Sequence, residues 1–196
     1  VVAWRNKTVD QNNRALRRQL LPQAVDPFTA GERLVLASPL MVAGTDPVKP
    51  KSVTWSPAMN TDEEVVVRSV TRSDHPHWIR MGIHAECWAM TVENDEGVDA
   101  QAYAPTREGK VVVENWLSAF AAEAREDRTR WKLFHDFKGS FADLRQCHAI
   151  TVHRSQGSTF ENVFINAGDI KANRNRVEAL KCLYVAVSRA SHNCVV

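Results

Sequence analysis

The sequence predicts an α/β fold interrupted by a block of strands. Three observations predict it. Short apolar strand patterns at the two ends of the chain are each joined to a helical pattern. Residues 163–165 form a continuous apolar run of the kind found inside parallel sheets. Between the ends, short strand patterns follow one another with no helix between them. That spacing predicts a small antiparallel barrel, with a plain hairpin extension as the other arrangement.

At 196 residues and 44% hydrophobic, the chain can bury a core and make one or two domains. A net charge of +2 fits a nucleic-acid partner no better than a uniformly solvated surface. No apolar run has membrane-spanning length, so the chain reads as soluble and without a membrane partner. Its start lacks the basic and long apolar segments of a signal peptide and reads as a strand met part-way through a larger protein. Cys87, Cys147, Cys182 and Cys194 are widely spaced with no CxxC pair, which predicts free thiols in a reducing cytoplasm. His75, His77, His84 and Cys87 lack the two tight ligand pairs of a zinc finger, so satisfied or exposed histidines are expected and no metal site.

In order, residues 1–4 read as a strand and Arg5-Asn6-Lys7 as a polar turn. Thr8, with Gln11 three residues on, has capping-box spacing for the first helix. Val9, Leu16 and Leu20 fall close to one face of it, and Arg14, Arg17 and Arg18 lie mostly off that face. Pro22 and Pro27 end the unit. Residues 32–40 read as a strand with Leu34 and Leu36 on one side. Residues 45–60, with Pro47, Pro50 and Pro57, read as a long loop. Residues 64–70 are a β-branched strand, 80–93 alternate through Ile83, Ala85 and Cys87, and 98–103 are another short strand. Residues 110–137 read as helical, with Trp116, Phe120 and Ala124 starting an apolar stripe and the charged run 123–130 forming a wet face. Asn175 begins a second capping box with Glu178, and Val177, Leu180, Tyr184 and Val187 mark the expected buried face of the last helix. Residues 194–196 read as a final strand.

Residues 149–163 change period twice. A strand ends near Val152, Thr151 is placed to cap a very short helix that Gly157 ends, and a buried strand follows from Phe160. This holds a polar cluster at a sheet edge, where α/β proteins place ligands.

T-V-H-R-S-Q-G-S-T-F (residues 151–160) and L-Y-V-A-V-S-R-A (183–190) resemble the fifth and sixth motifs of superfamily-one helicases. The subgroup resembled is that of RecD and phage Dda, which moves 5′ to 3′ on single-stranded DNA and has a UvrD-like helicase C-terminal domain. V-V-A-W-R-N-K-T-V-D-Q-N-N (1–13) resembles the strand and helix of the family's second motor domain. G-E-R-L-V-L-A-S-P-L (31–40) resembles the start of the SH3-like barrel inserted in it. The resemblance implies a RecA-like (P-loop NTPase-like) parallel-sheet domain from residues 1–30 plus 106–196, with the helical segment 110–137 inside it. It also implies an inserted SH3-like β-barrel at 31–105.

The resemblance further implies roles. Arg189 matches the arginine that reaches the γ-phosphate across an ATP cleft, a role suited to a permanently charged fork of donors. Gln156, Gly157 and Thr159 match the nucleotide side of the fifth motif. Many relatives have Glu at the position of Thr159, as a partner for the sugar hydroxyl. Thr151, His153, Arg154 and Ser155 match residues that meet the DNA backbone, and Asn6 matches an asparagine on a DNA phosphate. Such donors position a strand without reading bases.

No G-x-x-x-x-G-K-[ST] occurs and no acidic magnesium-binding strand is evident. The family places both in its first motor domain. The chain therefore resembles the C-terminal motor fragment of an ATP-dependent DNA helicase, with ATP and Mg2+ held mainly by the missing N-terminal motor domain. The fragment alone is expected not to hydrolyse ATP. Its expected partners are single-stranded DNA, ATP, that missing domain and a replication or recombination complex, in the cytoplasm of a bacterial or phage-infected cell. RecD belongs to exodeoxyribonuclease V, but no clustered carboxylates here suit two-metal cleavage. The alternative is a non-catalytic module docking protein or nucleic acid through exposed Trp55, Trp78 or Trp88.

Overall fold

The computed structural model describes residues 1–24, 26–45 and 53–196. In chain order its elements are β1 (Val2–Ala3), α1 (Asn6–Leu20), β2 (Arg33–Leu36), β3 (Leu40–Thr45), β4 (Val53–Met59), β5 (Glu64–Asp74), β6 (Glu86–Asn94), β7 (Asp99–Pro105), α2 (Arg107–Glu126), α3 (Trp131–Gly139), β8 (Leu144–Gln146), β9 (Ile150–Thr151), β10 (Phe160–Phe164), α4 (Ala167–Lys171), α5 (Arg176–Val187) and β11 (Ala190–Val195). Single 3-10 turns lie at Ile79–Met81 and Arg128–Arg130. The fold is mixed α/β with several sheets, some of them parallel. No described helix is long and apolar enough to cross a membrane.

The chain packs as two compact units, Val1–Val25 with Gln146–Val196, and Asp26–Arg145. In the terminal unit every strand pair is parallel. β1 pairs with β9 (Val2↔Ile150, Ala3↔Thr151), Val2 bridges Ile165, and β10 pairs with β11 from Phe160↔Ala190 to Phe164↔Val195. Its core joins Val2, Val152, Val163, Ile165 and Ile170 to Ala179, Cys182 and Ala186 of α5.

Three local expectations change in this unit. The first helix starts at Asn6, not after a polar turn, and Thr8 is not its cap; Arg5 holds the cap position without a side-chain bond. Asp169, from a distant element, binds the Trp4 and Arg5 N–H groups just before the helix and the Thr8 hydroxyl within it. The face of α5 that packs is the small one. Val177, Leu180, Tyr184 and Val187 are exposed, because Ala179 and Ala186 let the helix backbone sit close on the sheet. Asn175 does cap α5, accepting the Glu178 N–H at 3.2 Å. Finally, residues 152–157 form a turn and no helix.

The second unit holds a five-stranded sheet in the order β7-β6-β5-β2-β8, in which β2 and β5, β5 and β6, and β6 and β7 pair antiparallel. A separate antiparallel hairpin pairs β3 with β4. Leu40 and Met59 of the hairpin share a core with Leu34, Leu36, Val65 and Met90 of the sheet. Residues 53–59 are thus a strand where a loop was expected. Pro57 is tolerated because β4 has one partner and the pairing is irregular beside Met41↔Pro57. The expected loop residues 46–52 lie outside the described residues.

The helices of 107–139 group with these strands, where the sequence reading joined them to the terminal pieces. Their stripe packs on the unit's own aromatics: Trp78, Phe120 and Phe137 are buried together, with Trp116 and Phe141 against them. Trp78 and Trp88 are buried and Trp55 is half-buried, stacked on Trp78 at 5.9 Å. The exposed tryptophans expected of a docking module are absent at these positions. His75 is buried as well, with its ring 4.5 Å from Tyr103. Burial, and secondarily the neighbouring His77, push its pKa down to about 4, so it stays neutral.

Candidate functional site

The segment after β9 is built from the inside. Ser155 is fully buried and its hydroxyl donates to the Val152 carbonyl at 2.7 Å. The Ser155 N–H donates to the Thr151 carbonyl at 3.0 Å. Thr151, also buried, accepts the Arg154 N–H through its hydroxyl at 3.3 Å. These bonds close a turn whose intervening side chains, His153 and Arg154, face outward and are exposed. Gly157 follows at φ +86°, a conformation glycine adopts without steric cost, and open space surrounds it. Gln156 and Thr159 are exposed beside it.

The register shows where this segment runs. Val2 of β1 aligns with both Ile150 and Ile165. Thr151 leaves β9 on one side of that level, and Phe160 begins β10 five residues before Ile165 on the other. At about 3.3 Å per strand residue, the segment runs back along the sheet by roughly 16 Å. Thr151 to Arg154 therefore lie toward one edge of the parallel strands. Ser158 to Phe160 lie toward the opposite edge.

Arg189 occupies that second edge. Its Nε donates to the Val185 carbonyl at 3.2 Å, one Nη1 hydrogen to the Ser158 carbonyl at 3.1 Å, and one Nη2 hydrogen to the Ser188 hydroxyl at 3.0 Å. Ser188 is oriented in turn by donating to the Val185 carbonyl at 2.9 Å. The Phe160 N–H donates to the Arg189 carbonyl at 2.8 Å. A half-buried guanidinium thus ties the turn of residues 151–159 to the C-terminal end of α5. A guanidinium has five N–H hydrogens, so two remain beyond the three that the fold uses. They lie near the open backbone of Gly157, next to Ser158 in the chain.

Residues 146–196 match the UvrD-like helicase C-terminal domain. The match supports a superfamily-one helicase C-terminal region and a helicase-related function there. It contains every candidate site residue except Asn6. The chain is also 37% identical over 62 residues to uncharacterized protein R530 of Acanthamoeba polyphaga mimivirus, a stretch that is 31% of this chain and 13% of that protein. The chain thus spans about an eighth of the length of this viral relative.

Asn6 is apart from the helicase-like segment in sequence but is held by it. It is the first residue of α1 and is exposed. The turn that presents it is clamped by Asp169, whose side chain is only 2% exposed. The Asp169 carboxylate accepts the Trp4 and Arg5 N–H groups, each at 2.8 Å, the Arg5 Nε–H at 2.6 Å and the Thr8 hydroxyl at 2.7 Å. The Arg5 Nη2 completes an ion pair at 2.5 Å. Burial alone would raise the Asp169 pKa; the bonds from Thr8, Arg5 and Trp4 outweigh it and hold the carboxyl below its ordinary range.

Sequence reasoning missed Asp169, and it missed Asn13. The buried Asn13 amide exchanges two bonds with Ala149, accepting its N–H at 2.7 Å and donating to its carbonyl at 3.2 Å. This docks α1 beside the start of β9. The signals were faint but present. Asn13 is a polar residue four after Val9, where the apolar stripe calls for an apolar one. Asp169 is three residues after Asn166, which caps α4 by accepting the Asp169 N–H at 3.1 Å. Among the described residues, no group of three or more His, Cys, Asp or Glu could hold a metal ion.

Proposed function

We propose that this chain is the C-terminal motor region of an ATP-dependent superfamily-one DNA helicase that translocates 5′ to 3′ on single-stranded DNA. In this reading the terminal unit is its second RecA-like domain, and the strands of the other unit are an inserted SH3-like barrel. The phosphate-binding loop and the magnesium ligands belong to a first motor domain of the longer protein. One observation carries the reading. Within a segment that matches a helicase family, Arg189 bridges the fifth-motif-like turn to the end of the sixth-motif-like helix and keeps two donors for a phosphate.

ATP, when bound, supplies the phosphoryl transfer that drives stepping. Arg189 grips its terminal phosphate and stabilises spreading charge. The Gly157 backbone, Gln156 and Thr159 line the nucleotide side. His153, Arg154 and Asn6 hold DNA phosphates at the other edge. Thr151 and Ser155 shape that turn from within, because both are buried and their hydroxyls are used inside it. The roughly 16 Å run between the edges makes the segment the link between the two sites.

The DNA part is tested on this chain with a labelled oligothymidine. The slope of log affinity against log salt reports phosphate contacts, at about 0.7 per contact for single strands. Arg154→Ala is expected to weaken binding at all sequences alike and to reduce the slope by about 0.7. An unchanged affinity and slope would remove Arg154 from the DNA track.

A further inference from the structure

The outward face of α5 is apolar, and no described residue covers it. Val177 is 63% exposed, Leu180 66%, Tyr184 76% and Val187 47%. At about 100° per residue, these four fall within an arc of roughly 80° along the whole helix. They form one contiguous exposed apolar stripe, and such stripes mark interaction sites when they are rimmed by polar residues. The opposite face is already used, with Ala179, Cys182 and Ala186 in the core.

Charge identifies the occupant. Arg176 borders the stripe on one side and Lys181 on the other, and both are exposed. Lys171 and Arg174 precede the helix and are exposed too. None of these four cations is in an ion pair among the described residues. The one acidic residue of α5, Glu178, is half-buried and lies away from the stripe. A second copy of the same face would bring these cations against each other, which disfavours a symmetric dimer. Three of the four apolar residues are aliphatic and offer no ring for base stacking, which disfavours nucleic acid. An apolar seam with an exposed cation on each border, and two more before the helix, complements an amphipathic helix with leucines on one face and carboxylates beside them.

We propose that the outward face of α5 is a docking site for an acidic amphipathic helix of a partner protein. Leu180 and Tyr184 sit mid-stripe as apolar anchors, and Arg176 and Lys181 set the orientation of the bound helix. This surface does not depend on the nucleotide and DNA reading above.

The test uses the chain and a labelled helical peptide with leucines at i, i+3, i+7 and i+10 and glutamates beside them, followed by fluorescence anisotropy. The expected result is saturable binding that weakens with salt. Leu180→Ser is expected to lower affinity at least about tenfold, from lost apolar burial. The double variant Arg176→Glu with Lys181→Glu is expected to lower it about tenfold and to reverse the preference toward a lysine version of the peptide. Leu180 is exposed, so its variant keeps the fold, which a thermal melt verifies. No binding of the acidic peptide, equal binding of its lysine version to the unaltered chain, or binding indifferent to Leu180→Ser overturns the proposal. So does self-association that Leu180→Ser abolishes, or binding to anionic lipid vesicles in place of the peptide.

Discussion

The two units of this chain are held together by different means. The unit of residues 26–145 relies on two apolar clusters, one of strand residues including Leu34, Leu36 and Val67 and one with the aromatics Trp78, Phe120 and Phe137. The terminal unit has a smaller apolar core and is tied by buried polar clamps. Asp169 holds Trp4, Arg5 and Thr8; Asn13 holds Ala149; Ser155 holds Val152. Apolar packing is non-directional and tolerates small shifts, whereas a clamp with several bonds fixes where its partners sit. The clamps are in the unit that carries the helicase-like segment, and two of them fix backbone next to candidate site residues: Asp169 next to Asn6, Ser155 next to His153 and Arg154.

This contrast can be broken by substitution. Phe137→Ala removes a fully buried ring and is expected to destabilise its unit by about 3–5 kcal/mol. Urea unfolding followed by tryptophan emission reads that unit, because Trp55, Trp78, Trp88, Trp116 and Trp131 lie in it and Trp4 alone does not. Asp169→Ala leaves two backbone N–H groups and the Thr8 hydroxyl without their acceptor and is expected to cost about 3 kcal/mol. The expected readout is faster amide exchange at Trp4 and Arg5 with the main tryptophan transition in place. If Asp169→Ala shifts the tryptophan transition as far as Phe137→Ala does, the two units are not held independently.

Acid should separate the units further. His75 has an ordinary pKa of 6.5 that falls to about 4 in the fold, so the unfolded chain takes up its proton first. The stability it secures is complete above about pH 6.5 and is lost as pH falls toward 4. Asp169, with its pKa below the ordinary carboxylate value of 3.8, loses its contribution only at still lower pH, as its folded-state value is passed. Lowering pH from 7 to 4.5 should therefore weaken the tryptophan-rich unit while the Asp169 clamp holds, and His75→Phe should flatten that decline. The smallest effect is expected at Gly157. Alanine there meets open space but must adopt φ +86°, at a cost of about 1 kcal/mol. Amide exchange at residues 151–159 would show a larger loss if the turn were packed and not open.

Much of this organisation was legible in the sequence, and the misreadings have two causes. Strands β2, β5 and β7 and helix α2 show in their periodicity because each buries one face, whereas the alternation read through Ile83 and Ala85 precedes β6, which begins at Glu86. The wrong face of α5 was chosen because Val177, Leu180 and Tyr184 outrank Ala179 and Ala186 in hydrophobicity, although small residues allow the closer approach. Thr8 has a cap's spacing, yet its hydroxyl serves Asp169, 161 residues away. Local spacing cannot report a partner brought in by tertiary structure. The polar turn itself was legible because Gly157 and the hydroxyls around it act locally. The bond of Arg189 to Ser158 was not, since it spans 31 residues.

The central claim is that Arg189 couples the turn of residues 151–159 to a bound phosphate. It is tested most directly by Arg189→Lys in the longer protein, measuring ATP hydrolysis with and without single-stranded DNA. Lysine keeps the charge but loses the fork of donors. The account predicts a fall in DNA-stimulated turnover of about a thousandfold, with single-strand affinity in the absence of nucleotide retained. Turnover within a few-fold of the unaltered protein would contradict it.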